Sequence, residues 1–278
     1  MKTFIKKHPI LVRYLLAIIL FSIALISSGF INKGIIKEYF PYTSVILLII
    51  ATWILLKMDS KTIQYLGLNL SARNIRFLPL GIAIGALAFL AAKYLRSYYL
   101  GEVFNIADEF NYKNMLYGLY IILPTVAVEE SLFRGYLFKK TIDISSVAKA
   151  NIILAIIFTM VHVFDRGVLE KPPMIIFLIV TIPIGHLLFA TAFHKSKSLF
   201  FAIGIHLGNN WATQHLITTT NDGNSFLYIS NNGTFETWPS FLLFLLIWNS
   251  FFLLVTFIIW KWDSNFLKIQ FMKILKTS

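Results

Sequence analysis

An all-α, polytopic membrane bundle of about eight transmembrane helices is the fold this sequence predicts, and three observations predict it. Apolar stretches close to twenty residues long recur from one end of the 278-residue chain to the other, each suited to crossing a hydrocarbon layer of ~30 Å. Hydrophobic residues make up 57% of the chain and charged residues only 14%, a balance that a water-soluble protein would have to hide in an outsized dry core. Lys and Arg collect in the segments between the apolar stretches, as cytoplasmic loops of membrane proteins do.

In chain order the predicted spans are Ile10–Ile31, Tyr42–Leu56, Phe77–Leu95, Asn114–Lys139, Val147–Phe164, Pro172–Phe193, Leu199–Ile217 and Pro239–Trp260. The first follows a basic lead, like a secretory leader. Its apolar part is long, Arg13 sits near its start, and no small-x-small cleavage site follows, so it reads as a retained span. The second is short. Pro124 interrupts the fourth and Pro183 the sixth; a kink at Pro124 would open room for water. Trp238, Trp260 and Trp262 bracket the last span as interfacial anchors. No linker is long enough to separate soluble domains, so residues 1–278 form one membrane domain.

Basic residues set the orientation. With the N-terminus inside, the outer segments hold Lys33, Lys37, Lys93, Arg96, Lys113, Arg166 and Lys171, and the remaining eighteen of the 25 fall inside. Both termini are therefore expected in the cytoplasm. The net charge of +12 reads as contact with anionic lipid, not with nucleic acid. No cysteine is present, which removes disulfides, thiolate metal sites and cysteine nucleophiles together. The inner loop from Asp59 to Arg76 mixes apolar and basic residues and reads either as lying along the membrane face or as a plain connector. The outer loop from Asn221 to Trp238 carries two turn signals, Asn221-Asp222-Gly223 and Asn231-Asn232-Gly233, around SFLYIS, the pattern of a short hairpin or lid.

Polar groups inside the apolar runs carry the chemistry. The stretch Glu129 to Tyr136 (EESLFRGY) places two carboxylates and an arginine where ionisable groups are expensive and by default functional. Glu130 and Arg134, four apart on a helix, pair; Glu129, rotated by ~100°, faces elsewhere and is available as a general base. The structural alternative is a helix end with Arg134 reaching for headgroups, which the two acids beside it weaken. Phe158 and His162 share a face one turn apart, as do His206 and Asn210. Taken singly, the first pair reads as packing and the second as interhelical hydrogen bonding; the neutral Asn210 amide also suits a developing oxyanion.

Depth joins these residues. At ~1.5 Å per residue, Glu129 lies ~15 Å above Lys139, His162 ~20 Å above Lys149, and His206 and Asn210 ~13 and ~20 Å above Lys197. All come near the middle of the layer, which predicts one shared site. His186 is deep enough to reach it but has no companion at helical spacing and reads as structural. His215 falls on the opposite face from His206, while His194 and His8 read as surface residues. Ser131 and Ser198 lack a base, which argues against a serine mechanism.

The ordered set Glu129-Glu130-x-x-x-Arg134, Phe158-x-x-x-His162 and His206-x-x-x-Asn210 resembles the CPBP (Abi) family of membrane proteases, which includes the type II CAAX prenyl endopeptidases. EESLFRGYLF is similar to that family's first motif and SLFFAIGIHLGNNW to its last. The resemblance covers Asn114 to Ile217, a four-helix catalytic part, with no departure from the motifs. It implies an eight-helix fold that cleaves peptide bonds at the membrane. In this reading Glu129 and His162 activate water, His206 and Asn210 hold the oxyanion, and Glu130, Arg134 and Phe158 support them. Two versions stay open: a metal-free glutamate mechanism, which is favoured, and a zinc site built from Glu129, His162 and His206.

The expected partners are the lipid bilayer and a peptide or protein substrate, such as a lipidated peptide or a bacteriocin or pheromone precursor. High Ile, Lys, Asn and Phe content is compatible with a bacterial plasma membrane. Two other classes compete. A non-catalytic self-immunity protein or scaffold would keep its function in Glu129→Ala. An ion or proton transporter would use the same buried groups, but the paired broken spans typical of many transporters are missing.

Overall fold

The computed structural model describes residues 7–221, 223–231 and 233–262. Among these residues, eight principal helices stand at the eight predicted positions. They are α1 (Pro9–Ile31), α3 (Thr43–Met58), α4 (Ala72–Leu100), α5 (Tyr112–Glu130) continued by α6 (Tyr136–Ile144), α7 (Val147–Val163), α9 (Pro172–Ser196), α10 (Leu199–His215) and α11 (Trp238–Lys261). Two short helices, α2 (Ile35–Tyr39) and α8 (Arg166–Leu169), lie in connections. By length and composition α1, α4, the continuous α5–α6 rod, α9 and α11 can cross a membrane, and α3 and α7 are shorter apolar helices. The chain is a multi-pass, all-α helical membrane protein. Helix α10 is of a different kind: its residues Phe201 to Gly208 are all buried, so other helices, not lipid, surround its first half.

Local chemistry sets the helix limits. The Ser71 side chain caps α4 and Gly101, in the left-handed region at φ 65°, ends it. Asn111 accepts from the amides of Lys113 and Asn114 to open α5, Ser146 opens α7, and proline in the first turn starts α9 and α11. The segment after Asp59 is mostly irregular. It makes one 3₁₀ turn, Ile63–Leu66, and α4 begins at Ala72, four residues before Arg76.

The α4–α10 pair is the tightest in the bundle because glycine faces glycine. A Cβ on Gly81 would lie 2.8 Å from Gly204 Cα, and one on Gly208 would strike the backbone of Ile82. Small residues at both faces let two backbones approach where side chains otherwise hold helices apart. At the expected cytoplasmic end, Asp59 ties three helices together. It meets Arg13 Nε at 3.0 Å and Lys140 Nζ at 2.8 Å and accepts from the Tyr136 hydroxyl at 2.7 Å. Tyr14 of α1 and Thr141 of α6 add a 2.6 Å hydroxyl contact.

The far end carries a small sheet where a hairpin or lid was expected. Leu227–Ile229 (β3) is its central strand, antiparallel to Phe104–Ile106 (β1) and parallel to Ile217–Thr218 (β2). The β1 partner is distant in sequence, which turn signals cannot reveal; Asp222 and Asn232 of those signals lie outside the described residues. So do the terminal basic residues Lys2, Lys6, Lys268, Lys273 and Lys276 of the charge count. Trp238 and Trp260 are half exposed. Trp262 instead packs edge-on against Phe201 at 5.8 Å and Phe77 at 6.4 Å.

Candidate functional site

The α5–α6 rod changes character at the site. Residues Ser131–Gly135 form a π turn directly after Glu130, and π turns often mark functional positions in otherwise regular helices. The helix continues through Pro124, and the π turn follows next to the acids themselves. The Ser131 hydroxyl turns back to the Ala127 carbonyl at 2.6 Å, so it is engaged with its own helix.

Glu129 and Glu130 part company here. Glu130 is fully buried, whereas the Glu129 side chain is 26% exposed and lines a cavity of about 960 Å³. His162, His206 and Asn210 line the same cavity. Residues from three helices, α5, α7 and α10, thus share one chamber, as their common depth implied. The rest of its wall is apolar over most of its area, with Phe89, Phe177, Phe244 and Trp248 among the lining residues and Thr181, Thr213 and Gln214 between them, a surface suited to a largely apolar ligand.

The strongest polar contact in the site was not legible in the spacing. His206 Nδ1 donates to Glu130 Oε1 at 2.8 Å, and its Nε2 faces Glu129 Oε2 at 3.7 Å, a gap wide enough to be bridged by water. Glu130 does pair with Arg134, but at 3.4 Å and without hydrogen-bond geometry, since among the described residues no guanidinium nitrogen of Arg134 has a hydrogen-bond partner. Arg134 is held by aromatic faces: its guanidinium carbon lies 4.2 Å from the Phe158 ring centre and 5.0 Å from that of Phe189. Cation–π contacts of this desolvated kind are worth ~2 kcal/mol. Phe189 also stacks on the His206 imidazole, 4.6 Å between centroids and 13° from parallel. Nothing in the pattern of α9 singled out Phe189, because an aromatic in an apolar run reads as core.

His162 is fixed by its own helix. Its Nδ1 lies 2.8 Å from the Phe158 carbonyl oxygen. A carbonyl only accepts, so Nδ1 carries a proton and the neutral ring presents a lone pair on Nε2. Phe158 packs edge-on against this ring at 4.5 Å and so contacts both His162 and Arg134. His186 is completely buried beside Phe138 and Phe158, with neither ring nitrogen hydrogen-bonded among the described residues; it does not line the cavity. His215 bonds the Asn224 carbonyl at 2.9 Å. His194, expected at the surface, is half-buried in a small pocket with Tyr65 and Lys139.

A zinc ion would need three donors within ~2.0–2.2 Å of one point. Among the described residues no three His, Asp or Glu side chains gather closely enough to hold a metal ion. As placed here, Glu129, His162 and His206 are not such a group.

Residues 111–212 match the family model of type II CAAX prenyl endopeptidases, Rce1-like. The matched stretch is similar to an Rce1-like domain. It runs from Asn111, the cap of α5, to Ala212 in the last turn of α10, and contains all seven site residues read from the sequence. No curated protein and no solved structure matches the chain. The Rce1-like domain supports a membrane protease of the CAAX type, with a peptide or protein substrate at the membrane.

Proposed function

We propose that this protein is a membrane-embedded endopeptidase in which Glu129 activates water without a covalent intermediate or a metal ion. The observation that carries this is the convergence of Glu129, His162, His206 and Asn210 on one aromatic cavity, with Glu130 orienting His206 from behind at 2.8 Å.

Charge balance assigns the protons. Glu129, Glu130 and Arg134 sum to one negative charge, and isolated buried charge is costly. An imidazolium at His206 makes the group of four neutral. Its Nδ1–H then serves Glu130, and its Nε2–H points into the cavity beside Glu129. His206 and the Asn210 amide are thus both donors, suited to an oxyanion. His162, with its lone pair on Nε2, is suited to accept a hydrogen bond from water and aim it.

In the proposed reaction Glu129 takes a proton from that water as its oxygen attacks the scissile carbonyl. His206 Nε2–H and the Asn210 amide hold the negative oxygen. The tetrahedral species collapses with cleavage of the C–N bond, and Glu129 returns the proton to the departing amine. The products are a carboxylic acid and an amine, and no group on the enzyme is consumed.

The test is cleavage of a quenched-fluorescent library of apolar peptides by purified protein in detergent with strong chelator. Wild type should cleave and Glu129→Gln should lose ~10²–10⁴ in rate, the usual contribution of a general base. Activity lost to chelator and restored by zinc would refute the metal-free version. Ion flux in proteoliposomes with no peptide product would favour a transporter, and a cellular phenotype intact in Glu129→Ala a non-catalytic partner.

A further inference from the structure

A second cluster of charge lies apart from the cavity that holds Glu129, at the end which the basic residues assign to the cytoplasm. A small pocket there is lined by Lys139 and Ile142 of α6, Phe193 and His194 of α9, Lys197 just beyond it, and Tyr65 of the 3₁₀ turn. Lys139 Nζ stands 4.5 Å and Lys61 Nζ 5.2 Å from the centre of the Tyr65 ring, and the Tyr65 hydroxyl donates to Asp143. Among the described residues none of Lys61, Lys139, Lys195 and Lys197 is ion-paired with a carboxylate. Partial burial, then the charges of Lys139 and Lys195, push the Lys197 ammonium below the ordinary lysine range. Like charges are crowded here without an anion between them, and such crowding favours one that can bridge them.

The backbone singles out the same place. Lys197 follows the last turn of α9 at φ 59°, in the left-handed region, where glycine is the usual choice because a Cβ is strained. Its surroundings hold it so. Arg73 Nη2 donates to the Ser196 carbonyl at 2.9 Å, the Ser198 hydroxyl donates to the Gly67 carbonyl at 3.2 Å, and a Cβ on Gly67 would lie 2.1 Å from the Lys197 carbonyl oxygen. A side chain kept where glycine would fit better points to a use for that side chain. The dipole at the end of α9 amounts to about half a charge, too little to account for four lysines from three segments. Size and place select the anion. The pocket has a volume of about 20 Å³, room for roughly one water-sized group, so it takes the tip of a ligand whose bulk lies outside. Basic pockets between helices on the cytoplasmic side suit lipid phosphates, whose several oxygens can each meet a different ammonium. We propose that Lys139 and Lys197, with Lys61 and Lys195 beside them, bind the phosphate of an anionic phospholipid of the inner leaflet.

Thermal unfolding of the delipidated full chain in neutral detergent tests this, titrated in turn with phosphatidylglycerol, phosphatidylcholine and inorganic phosphate. Phosphatidylglycerol should raise the melting temperature, as any ligand of the folded state does, and the other two should not. Lys197→Gly suits the left-handed backbone and should by itself melt within a few degrees of wild type without lipid, so a lost lipid response is not a folding defect. Combined with Lys139→Gln, it should need on the order of tenfold more phosphatidylglycerol for the same shift, since each lysine near the membrane surface strengthens lipid binding several-fold. Lys37→Gln with Lys171→Gln, which removes two exposed charges at the opposite end, should leave the response unchanged. Four results overturn the proposal: no shift with phosphatidylglycerol, an equal shift with phosphatidylcholine, a response that survives the Lys139 and Lys197 substitutions, or one lost equally in the Lys37 and Lys171 protein. An equal shift with inorganic phosphate assigns the pocket to a free anion and overturns the lipid reading as well.

Discussion

Replacing Glu130 by glutamine keeps the shape of the side chain and removes one charge from the centre of the site. Glu130 and Arg134 are both fully buried, 3.4 Å apart. Unit charges at that separation attract by about 5 kcal/mol at an effective dielectric of ~20. The hydrogen bond to His206 at 2.8 Å adds ~1.5–3 kcal/mol as a charge-assisted contact. These gross terms are offset by desolvation, and breaking a buried pair by removing one partner costs ~3–5 kcal/mol net. Glu130→Gln should therefore unfold ~3 kcal/mol more easily. With its counter-ion gone, His206 is no longer held as a donor, and one lost oxyanion donor lowers kcat by ~10²–10³. Glu129→Gln is the contrast: Glu129 lies in the cavity wall, 26% exposed, so activity should fall while stability stays within ~0.5 kcal/mol. Thermal unfolding in detergent and steady-state cleavage, measured on both variants, separate the roles. If Glu130→Gln retains both stability and kcat, the charge-balance reasoning is wrong.

Further expectations concern the scaffold. A Cβ at Gly208 meets the backbone of Ile82, whereas one at Gly29 meets nothing within 4 Å. Gly208→Ala should cost ~1–3 kcal/mol by overpacking and, by shifting α10, lower cleavage ~10²-fold; Gly29→Ala should do neither. For Asp59, burial alone would raise the carboxyl, but the hydrogen bonds from Lys140 and Tyr136 and the charges of Arg13 and Lys140 outweigh it and hold it below the ordinary carboxylate range. A lowered folded value means a contribution present in full above the unfolded value of ~3.9 and lost as pH falls through the folded one. Asp59→Asn should thus cost about 2 kcal/mol at neutral pH, and its melting curve should converge with wild type as the pH is lowered below 4; a pH-independent difference would argue against the clamp.

What the sequence reveals and what it hides follow different physics. The helices were legible because lipid imposes one requirement, a long apolar run. Glu129, Glu130, His162, His206 and Asn210 were legible as candidates because polar groups stand out in such a run. The Glu130–His206 bond was hidden, since spacing along one helix names partners within it and this bond joins α5 to α10. Arg134 at four residues' remove therefore drew attention away from His206, the closer partner. Phe189 was hidden for the opposite reason: an aromatic among apolar residues carries no contrast, although it stacks on His206 and faces Arg134. The three-stranded sheet was invisible because its strands are two or three residues long and one of its two pairings, β1 with β3, joins segments more than a hundred residues apart.

The two adjacent acids show how one helix can serve two roles. On a regular α-helix, consecutive residues point ~100° apart, so one carboxylate can face the cavity only if its neighbour is buried. Burial demands compensation, and the buried Glu130 receives it from both directions: Arg134 on its own rod and His206 across the interface. The π turn that begins at Ser131 adds a residue between the acids and the inner half of the rod. Arg134 inside it remains fully buried between Phe158 and Phe189, while Tyr136 and Lys140 beyond it still reach Asp59. Glu129 is thereby left as the acid that shares a cavity with solvent while being spared the task of neutralising Arg134. A general base needs that division: a carboxylate already committed to a guanidinium gives up little driving force to a water proton. In the proposed reading the neighbouring acid supplies the arginine's counter-charge and leaves Glu129 to act as the base.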